Sequence, residues 1–491
     1  MEAIPIGLFW SLALWAMFQP RHILIYVLFA SMPFGSLAAI PTTLTAGLTL
    51  TPAPLVALML IGKELGSIRG VRFALANAFS ASRMLLLFSF WAVAGITTVF
   101  MPRFFAGRIE VVPMRVQAIM ETAMLAPTPQ NISQLAYISI SVLAVFAFAR
   151  NLEAADMRKH VILALCLGAI VTIATGLLDF ASQFLPLDAA LEIFRTANYS
   201  LLTTDEVLGG KRVVGLMPEA SSFGSVALTF MTTLYFFRRA MGGGFLRDRL
   251  VPLLIGSLLA LVWLSTSSAA YLGLGVFGVV AFLEWCWRAF TNGENPYLSR
   301  GLIAEFSLGA LVLAALLLAF IAAPKLFAPV QEMLDVMVFQ KSTSSSYEER
   351  SMWTKVSWDA LLASGGLGVG MGGTRASNFA VALFSSAGFL GGTLYSLFLL
   401  NCLIVQQAAK NDLVGGALFA AVRWSFLPPF FAGLTVGTTP DFGIFNAFLF
   451  GFALALSHRN AKITRMKMPM SAVENGEQSK HLFAKRGQHA E

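Results

Sequence analysis

Apolar runs of bilayer length recur along this chain, and no other feature limits its fold so strictly. A hydrocarbon core about 30 Å thick takes a helix of about 20 apolar residues. Backbone groups find no water there, so such runs must be helices that satisfy their own hydrogen bonds. Thirteen spans are expected: 5–18, 22–40, 44–61, 84–100, 131–149, 161–178, 213–237, 251–267, 269–287, 305–323, 380–406, 414–436 and 440–457. The first is short and the pair around Ser268 is barely separated, so eleven to thirteen spans bracket the count. Only 12% of the 491 residues are charged, against about 25% in soluble domains. The expected class is all-α, a polytopic transmembrane helical bundle over 1–457 with a polar, basic and disordered tail, 458–491. Met1-Glu2-Ala3 carries no basic residue, so the first run is read as a span and not as a signal peptide.

Lys and Arg then set the orientation, because basic residues accumulate on the cytoplasmic side. Alternate connections divide the 34 basic residues into 22 on one side and 11 on the other, with Arg423 inside a span. The tail belongs to the richer side and is expected inside. The long segments 101–130, 179–212 and 324–379 are expected outside. Within the last, Met333, Val336, Met337 and Gln340 oppose Glu332 and Asp335, the pattern of a helix lying at the interface. A net charge of +8 is thereby explained by topology and calls for membrane lipids, not nucleic acid, as partners. Cys166, Cys286 and Cys402 fall in or at the ends of apolar runs, so no disulfide framework or thiolate metal site is expected.

Polar chemistry gathers on the expected outer side. In Lys211–Ser225, Arg212, Gly215, Glu219 and Ser222 fall at i, i+3, i+7 and i+10, which a helix would align on one face. Pro218 would kink that helix just before Glu219. A carboxylate in hydrocarbon is costly and marks function by default; the competing account is a structural ion pair. Arg350 and Trp353 lie at i, i+3. The run Gly365–Asn378 follows no expected strand, so its glycines at 368, 370 and 372 are a ligand-contacting backbone or merely a re-entry loop. For Arg350 and Arg375 the competing account is contact with lipid phosphate, the ordinary fate of an arginine beside a membrane. Asp441, with Thr438 and Thr439, is adequately explained as a helix cap. His22, His160, His458, His481 and His489 are all placed inside, so no histidine base or metal site is expected outside.

These residues resemble a known family. Arg212-x-x-Gly215-x-x-x-Glu219-x-Ser221 is similar to an element of the O-antigen ligase and polymerase superfamily, although its Glu-Pro order becomes Pro218-Glu219-Ala220 here. Arg350-x-x-Trp353, Gly368-Val369-Gly370, Asn378 and Gly388-Phe389-Leu390-Gly391 resemble the outer loop and following helix of that family. Leu264–Leu272 resembles its Thr-x-Ser-Arg segment without the arginine. The resemblance implies a multi-span, GT-C-like glycosyltransferase in the bacterial cytoplasmic membrane. Its substrate would be an undecaprenyl-diphosphate-linked oligosaccharide, handled without metal or other cofactor beside other polysaccharide-assembly proteins. Glu219, Arg212 and Arg350 would then be catalytic. Arg375, Gly215, Ser221, Ser222, Trp353, Gly370 and Asn378 would bind substrate. Ligases of the family carry a histidine where this chain has Ser377, which favours a polymerase of repeat units. A ligase, an anion transporter and a non-catalytic scaffold stay open beside it, as do two roles for Glu219: base, or partner of Arg212.

Overall fold

In a computed structural model, the described residues are 3–41, 44–45, 49–114, 121–207, 210–291, 295–323, 345–409 and 411–457. They form an all-α bundle of 16 helices. The first eight are α1 Ala3–Phe18, α2 Arg21–Ser31, α3 Pro52–Leu65, α4 Ile68–Ala78, α5 Leu85–Phe104, α6 Pro129–Asn151, α7 Ala155–Ala181 and α8 Asp188–Glu192. There follow α9 Ala220–Phe237, α10 Val251–Leu264, α11 Ser268–Thr291, α12 Leu302–Ala322, α13 Ser345–Ala363, α14 Phe379–Leu400, α15 Leu413–Val436 and α16 Gly443–Ser457. Two small antiparallel hairpins, Glu110–Val111 with Ala123–Met124 and Glu206–Val207 with Gly210–Lys211, decorate the connections. The amphipathic stretch expected around Met333–Gln340 and the tail 458–491 lie outside the described residues.

Eight helices are long and apolar enough to cross a membrane: α5, α6, α7, α9, α11, α12, α14 and α15. The other expected spans are realised as shorter helices. The span expected over 22–40 stops as a helix at Ser31, roughly 16 Å from its start, because Pro33, Gly35 and Pro41 follow. Its remaining backbone is satisfied by other segments: Ser36 N–H donates to Leu216 O at 2.9 Å, and Thr196 and Ala197 donate to Ser36 O. Likewise 44–61 becomes helical only from Pro52, and 440–457 only from Gly443. Non-helical backbone at such depth survives only where protein surrounds it.

Helix α9 is the hub, packing on α7, α10, α11 and α15. Its Phe230 and Phe237 join Phe29 of α2, Phe148 of α6 and Phe445, Phe448 and Phe452 of α16 in one aromatic core, with Phe29 and Phe448 5.0 Å apart edge to face. Helix α12 is the opposite case, with no buried residue.

Polar contacts sort the connections to two ends. At one end Glu64 meets Arg21 at 3.4 Å and Asn151 at 2.8 Å, Arg158 meets Asp412 at 3.5 Å, and His22 stacks on His160. At the other end lie 32–41, 194–207, 210–219, 264–267 and 350–378.

Candidate functional site

The segment before α9 is a loop, not the helix expected from 213. Helix α9 starts at Ala220, with Glu219 as its N-cap in an extended conformation. Arg212, Gly215, Glu219 and Ser222 therefore share no helical face, and Pro218 kinks nothing. The cause is Asp179, fully buried at the end of α7. Its Oδ2 accepts the amides of Val214 at 2.6 Å and Gly215 at 3.0 Å, drawing them out of any helical ladder. Arg195 at 3.2 Å and Lys211 at 3.5 Å balance its charge. Gly215 turns the chain at φ +58°, where a Cβ would press on Phe223 at 2.9 Å. Gly215 is thus a turn residue, and its conformation and the Phe223 contact account for the glycine.

The loop nevertheless brings Arg212 and Glu219 together. Arg212 lies 3.8 Å from Asp205, and its Nε donates to Ser265 O at 3.4 Å. Ser265 opens the break between α10 and α11, where Thr266 adopts φ +42° and keeps a buried hydroxyl without a partner. Burial pulls the Arg212 guanidinium below its ordinary pKa, Asp205 and Glu219 oppose that shift, and Arg350 adds to it. The Glu219 carboxylate accepts the Ser221 hydroxyl and, at 3.5 Å, that of Ser222. Both serines therefore serve the carboxylate in this structure.

Arg350 and Trp353 lie on α13. The Arg375 guanidinium stacks over the Trp353 ring at 4.0 Å, and the buried Trp353 Nε1 has no hydrogen-bond partner. Burial also pulls Arg375 below its ordinary pKa, with Glu219 and Glu349 opposing and Arg350 reinforcing. Glu219 thus lies within electrostatic reach of Arg212 and Arg375, and Arg350 within reach of both of those arginines. Among the described residues, neither Arg350 nor Arg375 has a carboxylate within 4.0 Å.

The glycine run is structural. Its amides from Gly368 to Met371 are already used: Gly368 on Ser364 Oγ, Val369 and Gly370 on the carbonyls of Ser385 and Ser386, and Met371 on Thr98 Oγ1. Ser385 and Ser386 precede a break in α14 at Gly388 (φ +72°), and Phe389 N–H returns to Gly366 O at 2.8 Å. The loop thus satisfies a broken helix with the amides of Gly368 to Met371. A Cβ on Gly370 would sit 3.0 Å from Thr98 Cα, so close packing accounts for this glycine. Asn378 caps α14, its Oδ1 accepting Val381 N–H at 3.1 Å.

Sequence reasoning missed Asp179, Arg195 and Asp205. The signal was present for Asp179, a carboxylate at the last turn of an apolar span, but its partners lie 16 to 36 residues away. Among the described residues no three His, Cys, Asp or Glu side chains gather as a metal site. No protein-family model matches the chain, and no curated protein is significantly similar to it.

Proposed function

We propose that the chain is an integral-membrane glycosyltransferase. It would extend undecaprenyl-diphosphate-linked repeat units of a surface or extracellular polysaccharide, outside the bacterial cytoplasmic membrane. The supporting observation is that Arg212 and Arg375 both feel Glu219 and both feel Arg350, while Arg350 and Arg375 have no carboxylate within 4.0 Å among the described residues. Planar guanidiniums can hold a diphosphate through paired hydrogen bonds as its charge grows, a task for which metal ions are the common alternative.

In the step proposed, an acceptor hydroxyl oxygen bonds to the anomeric carbon while the bond from that carbon to the diphosphate breaks. The lipid diphosphate leaves with the electron pair, held by the arginines. The hydroxyl proton passes to a base, for which Glu219 is the candidate. Its two serine donors and its proximity to Arg212 support equally the role of a partner that fixes the arginines.

Glu219→Gln separates these roles. As a base, Glu219 is worth about 10²–10⁴ in single-turnover rate, with donor affinity kept. As an arginine partner, its loss weakens donor binding as much as Arg212→Ala does. Absence of any polymer from purified protein and lipid-linked repeat unit would remove the reading itself. The site must also face outward. In a cysteine-free background, an impermeant maleimide added outside is expected to label Asp188→Cys and not Gly243→Cys; the reverse pattern would place the arginines in the cytoplasm.

A further inference from the structure

A cavity begins one helical turn from the residues that hold Glu219. It measures about 250 Å³, is half open, and lies among α9, α14, α15, α16 and the connection Gly437–Asp441. Ser225 of α9 lines it, about 4.5 Å along the helix from Ser222, by the rise per residue. Phe379 lines it too, immediately after the capping Asn378 and four residues after Arg375.

The walls have two characters. Aromatic faces supply one, with Phe426 stacked on Phe430 at 4.9 Å and Tyr395 on Phe442 at 5.6 Å. Thr438, Thr439, Asp441 and Asn446 supply the other. Asp441 does cap the start of α16, its Oδ1 accepting Gly443 N–H at 3.0 Å. Ser141 is a second hydrogen-bonding neighbour, but neither contact neutralises the carboxylate, which among the described residues has no Lys, Arg or His within 4.0 Å. Burial pushes its pKa above the ordinary carboxylate value. Asn446 spends its Nδ2 on Phe442 O at 2.7 Å and so offers an acceptor oxygen.

This chemistry selects its ligand. With a carboxylate and no cation, the cavity repels the diphosphate that the arginines would hold. A water occupies roughly 30 Å³, so a bare metal ion or proton carrier leaves most of the space unused. Flat rings beside hydroxyl, amide and carboxylate acceptors suit a neutral ring whose C–H face packs on aromatics while its hydroxyls donate.

We propose that this cavity binds one neutral sugar ring, with Asp441 and Asn446 accepting hydrogen bonds from its hydroxyls. The identity of that ring as a residue of the polysaccharide repeat rests on the function proposed above; its binding does not.

The test uses the full chain in lipid nanodiscs and two probes. One is the repeat-unit oligosaccharide freed of its lipid diphosphate by mild acid. The other is undecaprenyl diphosphate without sugar. Asp441→Asn is expected to weaken oligosaccharide binding at least tenfold while leaving undecaprenyl diphosphate binding unchanged. Asn446→Leu gives the same pattern more weakly and serves if Asp441→Asn lowers the Tm. Equal oligosaccharide affinity in wild type and both variants, or no binding at millimolar concentration, overturns the proposal. So does saturable sodium binding that is abolished by Asp441→Asn without any sugar binding. Loss of undecaprenyl diphosphate binding in the wild type would refute the function proposed for the arginines and leave the sugar result standing.

Discussion

Two clusters of arginine sit at opposite ends of this bundle and are built in opposite ways. At the end carrying Glu64 and His160, Arg239 and Arg288 share Glu284 at 2.9 Å each, and Glu305 closes the set with a contact to each arginine. Arg288 is fully buried, also holds the carbonyls of Leu298 and Arg300, and so ties α11 to the chain entering α12. Arg239 packs over Tyr235 and Phe236. Two positive and two negative charges are matched within contact distance. In the other cluster Arg212 has a carboxylate only at 3.8 Å, and Arg350 and Arg375 have none within 4.0 Å among the described residues. A closed network has its charge satisfied and holds helices together. An open one leaves guanidiniums without a contact carboxylate among the described residues, as the proposed diphosphate site requires.

The sharpest way to break that comparison is to truncate one arginine in each. Arg288→Ala leaves Glu284 and Glu305 short of a buried partner, at a cost of about 3–5 kcal/mol, and folded protein should be largely lost. Arg350→Ala should leave the Tm close to wild type and lower turnover about 10²–10³-fold, the scale of removing one donor to developing charge. Tm and single-turnover rate on lipid-linked repeat unit decide it. If Arg350→Ala unfolds the protein as Arg288→Ala does, both clusters are structural.

How much of this the sequence carried depends on the distance between partners. The apolar runs predicted the bundle because hydrocarbon compatibility is a local property. Glu284 and Arg288 stand at i, i+4, yet the basic residues near them were counted only for orientation; Glu305 closes the network from 17 residues beyond Arg288. The spacing of Arg212 and Glu219 predicted a shared helical face. Their proximity is real, but it arises from a loop that Asp179 holds through two amides. Periodicity says nothing of a carboxylate from another helix competing for the backbone. Short helices pass for full spans because hydropathy dominates: residues 32–41 are mostly apolar, yet Pro33, Gly35 and Pro41 end the helix and the loops packed on them satisfy the backbone.

The glycine run sharpens the comparison in a different way, because it lies at the open cluster's end yet should behave like the closed one. A Cβ on Gly388 would meet Leu367 O at 2.4 Å, with the backbone held at φ +72°. Gly388→Ala is expected to destabilise by about 1–3 kcal/mol, the cost of one strained residue. Donor affinity of the folded fraction should be unchanged. A selective loss of donor affinity at wild-type Tm would restore the glycines as ligand contacts.

The smallest expected effect belongs to Arg375, the arginine most held by the protein. Its stacking on Trp353 substitutes for a missing carboxylate: the ring face stabilises the cation by about 0.5–2 kcal/mol without neutralising it. The ring also fixes the plane of the guanidinium, so the side chain loses little entropy on meeting a phosphate. Trp353→Leu keeps an apolar residue on α13 but removes that face, and donor affinity should fall by about 2- to 30-fold, the same energy read as binding. Arg375→Lys keeps the charge and loses both the stack and the fork, so it should match Trp353→Leu, and the double variant should be no worse than either. Additive losses would mean that the two side chains act separately, and the open cluster would then contain two arginines, Arg212 and Arg350, with Arg375 a bystander.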